Sequence, residues 1–258
     1  MKRLVVIGGT GLGSDIYQGG EDYPVSAQYV GKNGCVSRIY VAKLYADVNM
    51  LYVNRHDVLI DDNRFDDPGN IDFETLMIGL YQDGVKKIID YSIITTSSVG
   101  ITKGGPGVIG VPYDFKDRLN YSPSVEIPGF KSGFSPMDNA FNGDIRKLIV
   151  SSAKKHVRVI DGGIYIRRVK GRRFETPAEV AEEIRLEPNK LLYLGMSSPE
   201  EAILARYLNL PYATIITSTN LAAGLGEEIS HEKNVKEFET TLPRVKRLIR
   251  LVNKKFNQ

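Results

Sequence analysis

The chain has one cysteine, Cys35, no tryptophan and only three histidines in 258 residues. A single thiol excludes an intrachain disulfide and leaves no cysteine cluster for zinc, which fits a reducing, cytoplasmic setting. No run of eighteen apolar residues occurs, so no membrane-spanning helix and no membrane partner are expected. Charge of one sign is scarce as well. The 34 Lys and Arg against 31 Asp and Glu leave a formal net charge of +3, too little to argue for nucleic acid. The basic cluster Arg167, Arg168, Lys170, Arg172 and Arg173 fits a solvated face or a subunit contact. The glycine-rich stretch Gly8-Gly9-Thr10-Gly11-Leu12-Gly13 lacks the marks of two nucleotide motifs. Ser14 or Ile16 stands where a dinucleotide fingerprint needs its last glycine, and a Walker lysine is absent.

A hydrophobic fraction of 42% and a charged fraction of 25% are ordinary for a soluble globular protein, and the length suits one domain over residues 1–258. The N-terminal apolar run is short and enters a glycine turn, so a first strand is expected rather than an export signal. Strand and helix signals alternate through the second half. Helices are expected at 73–82, at 144–156 with Asn142 or Gly143 near the cap, at 177–185 behind Thr176, at 199–208 and at about 232–256. The class is α/β, built around one central mixed sheet flanked by helices.

Polar chemistry collects at the strand ends. Lys2 to Ile7 empties into the glycine loop, whose free amides and Thr10 hydroxyl suit either a phosphate oxygen or a simple tight turn. Asn54-Arg55-His56-Asp57 closes a later strand, where an arginine beside a histidine can grip a dianion with a bidentate fork and a second donor. Lys87 to Ile94 looks like a continuous buried strand opening into Thr95-Thr96-Ser97-Ser98-Val99-Gly100, and ligands bind α/β sheets at such carboxyl ends. The acidic stretch from Asp61 to Asp72, with Pro68-Gly69, looks like a mobile loop near the site. Between Gly171 and Gly224, Phe174 can stack on a base while Glu175 and Asn220 hydrogen-bond its edge.

In this order, Gly-Gly-Thr-Gly-Leu, Arg-His, Ser-Ser-Val-Gly, Phe-Glu-Thr-x-Ala-Glu, Gly-Met-Ser-Ser and Thr-Asn resemble the trimeric purine nucleoside phosphorylase and methylthioadenosine phosphorylase family over nearly the whole chain. The resemblance implies a partly barrel-like central sheet and a homotrimer or dimer of trimers. It implies a phosphate site of Thr10, Arg55, His56, Ser97, Ser98 and Ser197, with His56, Glu175 and Asn220 as catalytic groups. Phe174, Glu175, Met196, Asn220 and His231 would hold base and ribose, and Phe134 would enter the pocket of a neighbouring subunit. Neither metal nor cofactor is implied, and inorganic phosphate is the co-substrate. Asn220 with Glu175 resembles the 6-oxopurine branch, because a carboxylate accepts the N1–H that hypoxanthine and guanine carry and adenine lacks.

The expected activity is phosphate-dependent cleavage of inosine or guanosine to free base and ribose 1-phosphate. Alternatives are a methylthioadenosine or methylthioinosine phosphorylase, a nucleosidase using water, and a non-catalytic nucleoside-binding relative. Three positions depart from the family pattern. Asp57 follows Arg-His, Arg172 stands where many members have proline, and the usual threonine after Asp117-Arg118 is missing.

Overall fold

The first strand sets the centre of the molecule. In Lys-Arg-Leu-Val-Val-Ile-Gly, every residue from Leu4 to Gly8 is buried, the pattern of a strand covered on both faces. The computed structural model describes residues 2–9, 12, 25–30, 36–45, 48–57, 71–123 and 134–258. Thr10, Cys35 and most of the acidic stretch expected as a loop lie outside them, as does the side chain of Asp57.

Strand β1 (Lys2–Gly8) runs parallel to β4 (Val48–Asn54) on one side and to β5 (Asp90–Ile101) on the other. Beyond β4 lie β3 (Val36–Tyr45) and β2 (Val25–Val30), both antiparallel, so that β2, β3 and β4 form a meander. At β5 the sheet forks. One branch carries β10 (Leu192–Leu194), β9 (Ile164–Arg167) and β7 (Asp114–Asp117), and the other carries β11 (Tyr212–Leu221), β6 (Ile109–Val111) and β8 (Ile160–Asp161). The sheet is not closed: among the described residues no pairing joins the two branches. Among the described residues the mixed sheet forks rather than curling into the partly barrel-like form expected.

Helices cover both faces. Phe73, Leu76 and Leu80 of α1 (Phe73–Lys87) pack with Ala202, Leu204 and Ala205 of α4 (Ser198–Tyr207) against Val5, Ile7 and Ile93. On the opposite face, Ile145 and Ile149 of α2 (Gly143–Ala153) join Phe238, Leu242, Val245 and Ile249 of α5 (His231–Phe256) over Leu4, Val6 and Ile94. The smaller α3 (Pro177–Leu186) sets Val180 on Ile164, Ile166, Leu192 and Leu194.

Two expected boundaries move. Lys87 ends α1 rather than opening a strand, and Ile88 breaks the helix in the left-handed region at φ 56°. Strand β5 then runs on through the hydroxyl residues to Ile101, because β1, β10 and β11 supply ladder partners along its length. The β-rich run over 157–169 is split into β8 and β9 at Gly162 and Gly163, whose φ of 143° and 93° suit glycine alone.

Candidate active site

The carboxyl ends of β1 and β4 and the middle of β5 converge on one guanidinium. Arg55 begins a 3₁₀ turn directly after β4 and is 3% exposed. Its Nε donates to Glu201 Oε1 at 2.6 Å and its Nη2 to Glu201 Oε2 at 2.9 Å, while Nη2 also donates to Thr95 Oγ1 and Nη1 to the Thr96 carbonyl at 3.0 Å. Burial alone would lower the Arg55 pKa, but the charge and hydrogen bond of Glu201 override it and hold it above its ordinary value. The Tyr212 hydroxyl also donates to Glu201, at 2.7 Å. The fork that the sequence assigns to a dianion therefore grips a carboxylate, since a buried guanidinium without a counterion would be costly. Four of its five N–H groups are taken, and the fifth belongs to Nη1, which lies beside Gly9.

Gly9 explains part of the glycine loop. Its N–H donates to Thr96 Oγ1 at 3.2 Å, and a Cβ there would come within 2.5 Å of Arg55 Nη1 and 2.8 Å of the Thr96 carbonyl. Ser97 and Ser98 point to opposite faces of β5. Ser97 Oγ lies 2.8 Å from the Tyr165 hydroxyl, whereas Ser98 Oγ is buried with no hydrogen-bond partner. Ser197 is buried at the N-cap of α4, yet its hydroxyl makes no capping bond, leaving it free for an anion at a helix N-terminus. His56 is half-buried in the turn after β4, its backbone N–H donating to Asn54 Oδ1 at 3.2 Å.

A second group gathers near α3 and the end of β11. The turn after β11 packs on α3, and a Cβ on Gly224 would meet Pro177 Cβ at 2.7 Å. Glu175 immediately precedes the Thr176 cap; its Oε1 is buried without a partner, and desolvation raises its pKa. Asn220 follows a register shift in β11 between Ser218 and Asn220, the kind of irregularity that re-aims a side chain. Its Oδ1 is likewise buried and unpartnered. Met196 is half-buried between β10 and α4, and Phe174 is exposed. His231 is exposed on the first residue of α5, and Phe134 is fully exposed.

Residues 89–253 match the sequence model of the Phosphorylase superfamily. The chain belongs to that superfamily. A probable S-methyl-5′-thioinosine phosphorylase of Methanothermobacter thermautotrophicus is 33% identical over 160 residues, 61% of this chain and only 52% of that relative. The 6-oxopurine nucleoside phosphorylase of Pyrococcus furiosus is 25% identical over 260 residues, covering 96% of this chain and 91% of the relative. The methylthioadenosine phosphorylase of Schistosoma mansoni, solved with adenine, shares the fold at a TM-score of 0.75 and 16% identity, over 100% of this chain and 92% of that one. Both relatives and the solved structure are named as phosphorylases of purine nucleosides or of methylthio nucleosides.

The superfamily chain also holds groups that its motifs do not announce. Glu201 and Tyr212 join the hydroxyl residue Thr95 in organising Arg55, and the sequence signal for Glu201 is the acidic pair behind Gly-Met-Ser-Ser. The neighbouring Glu200 accepts from Arg167, which is 1% exposed and also donates to Asp117 at 2.8 and 2.9 Å. Burial would raise the Asp117 pKa, but the Arg167 hydrogen bonds outweigh it and hold it below the ordinary value. The Tyr121 ring lies 5.8 Å from the same guanidinium. Arg168 pairs with Glu182 at 2.6 Å and Glu183 at 2.8 Å. Arg167 is therefore no solvated-face residue, because two carboxylates accompany it into the interior.

Proposed function

We propose that this chain catalyses phosphate-dependent cleavage of 6-oxopurine nucleosides, releasing hypoxanthine or guanine and ribose 1-phosphate. The observation that carries the reading is the pair of buried, unpartnered oxygens, Glu175 Oε1 and Asn220 Oδ1, on segments that pack together. A buried acceptor without a donor costs roughly 1–3 kcal/mol, so both ask for N–H groups from a ligand. A 6-oxopurine carries N1–H, which an ionised Glu175 accepts. The unspent Ser197 hydroxyl, the α4 N-terminus, the last Arg55 N–H and Ser98 supply donors for phosphate, with His56 next to Arg55. The protein's part is positioning and charge stabilisation. Phosphate oxygen bonds to C1′ as the C1′–N9 bond breaks, and the electron pair leaves on the purine.

A second reading keeps the base and changes the sugar. The Methanothermobacter relative is named for a 5′-methylthio nucleoside whose base is also a 6-oxopurine. The assembly is a homotrimer or dimer of trimers in a cytoplasmic setting, with the exposed Phe134 entering a neighbouring subunit's pocket. Release of base from inosine, guanosine, methylthioinosine, adenosine and methylthioadenosine, each with and without phosphate, tests the proposal chromatographically. Hypoxanthine or guanine appearing only with phosphate, together with the sugar 1-phosphate, is the expected result. Turnover confined to the 6-aminopurines, base release without phosphate, or no turnover would overturn it.

A further inference from the structure

The side-chain amide of Asn220 has two N–H groups, and the protein takes both. Nδ2 donates to Asn234 Oδ1 at 3.0 Å and to Thr219 Oγ1 at 3.2 Å. The opposite end of the amide, Oδ1, is buried with no partner and sits over Gly100, where a Cβ would approach it to 2.9 Å. Asn220 therefore cannot serve a purine as both donor and acceptor. It presents a carbonyl alone.

Asn234 lies in the first turn of α5, and the helix start fixes its backbone. Its own N–H donates to the Ser230 carbonyl at 3.1 Å, and the Ser230 hydroxyl caps the helix by accepting from the Lys233 N–H at 3.2 Å. With Asn234 presenting its carbonyl, rotating the Asn220 amide by half a turn would set the two carbonyls against each other and forfeit that hydrogen bond. We infer that Asn234 is a positioning residue that locks Asn220 with its carbonyl towards the base, so that the site accepts a proton-bearing ring nitrogen and repels a bare one. The inference rests on the nucleoside reading above. In an intact purine nucleoside N7 carries a lone pair, which faces a carbonyl badly. When phosphate forms its bond to C1′ and the C1′–N9 pair departs with the base, N7 takes a proton from solvent and becomes a donor to Oδ1. The locked amide thus favours the departing base over the bound nucleoside, and interactions of that kind raise kcat rather than lower KM.

The test compares wild type with Asn234→Asp, Asn234→Leu and Asn234→Ala in inosine phosphorolysis, with hypoxanthine binding measured separately by calorimetry. Asn234→Asp keeps an acceptor for Nδ2 and should retain kcat within about threefold. Asn234→Leu and Asn234→Ala release the amide and should lower kcat by about ten- to a hundredfold with KM within about threefold, the size of one lost hydrogen bond to a developing charge. The two apolar variants differ in bulk, so misfolding of one leaves the other decisive, and thermal melting identifies it. Equal kcat in wild type and both apolar variants overturns the inference, as does an aspartate variant as impaired as they are. If wild type turns over no nucleoside, the nucleoside reading fails by itself. The lock is then judged on hypoxanthine: weaker binding in the apolar variants but not in Asn234→Asp supports it, and equal binding, or none by any form, overturns it.

Discussion

At the scale of single residues, the site is governed by charges that have been buried and either paired or left waiting. Arg55 and Glu201 form the paired case. Removing the carboxylate with Glu201→Ala leaves a buried guanidinium without its counterion, which should destabilise the chain by about 3–5 kcal/mol. For a chain of this size that is a fall in Tm of roughly 10 °C by scanning calorimetry. Glu201→Gln, which keeps the shape and one acceptor, should fall less, and a melting temperature unchanged in both variants would show that the pair holds nothing. Glu175 is the waiting case. Desolvation raises its pKa in the folded chain above the unfolded value, so its contribution to stability is present at low pH and is lost as pH rises from the unfolded pKa through the folded one. In the base pocket proposed above, recognition would run the opposite way, because only the ionised carboxylate accepts N1–H. The kcat/KM for inosine should therefore show an acid limb above the ordinary carboxylate range. In Glu175→Gln that limb should vanish while the plateau falls about ten- to a hundredfold. A limb that survives the substitution would assign the titration to another group.

At the scale of elements, helix starts were legible in the sequence and strand ends were not. Asn142 and Thr176 announce α2 and α3, and the structure gives both the capping bonds their side chains suit. At Thr176 the box is complete: Thr176 Oγ1 accepts from the Glu179 N–H at 3.2 Å and Glu179 accepts from the Thr176 N–H at 2.8 Å. Arg173 then holds Glu179, whose pKa is pushed down to about 2. A lowered carboxylate pKa contributes stability above its unfolded value that is lost as pH falls towards 2. Because this helix cap directly follows Glu175, Thr176→Ala should cost about 1 kcal/mol of stability and also raise KM for nucleoside, measured by melting and by initial rates. An unchanged KM would separate the cap from the site. The strand ends were obscured for a physical reason. Thr95 to Gly100 looks like a polar loop because hydroxyls usually face water, but here β1, β10 and β11 satisfy the backbone while Arg55, Gly9 and Tyr165 take up Thr95, Thr96 and Ser97. Asn220 and Glu175 stood out in the sequence by type, as candidates for the edge of a base. Asn234 and Glu201 did not, because a lone amide and an acidic pair on a helix gain meaning only from what the fold sets opposite them.

At the scale of the whole molecule, one sheet forks at β5, and the proposed site draws on both β5 and the end of β11. Phe134 stands fully exposed at 134, although burying a phenylalanine is worth about 1.5–3 kcal/mol. In a homotrimer built head to tail, that ring can lie over the Glu175 and Asn220 pocket of the next subunit. Each pocket would then draw Asn220 from one chain and Phe134 from its neighbour, and mixing defective subunits separates this arrangement from a self-contained pocket. Asn220→Ala and Phe134→Ala homo-oligomers should each be impaired. Unfolded together in equal amounts and refolded, they should recover activity at about one quarter of their sites, those where an intact Asn220 happens to meet an intact Phe134 from the adjoining subunit. If Phe134 instead serves its own chain, every site in the mixture carries one lesion or the other, and the refolded mixture will be no more active than the average of its two parents.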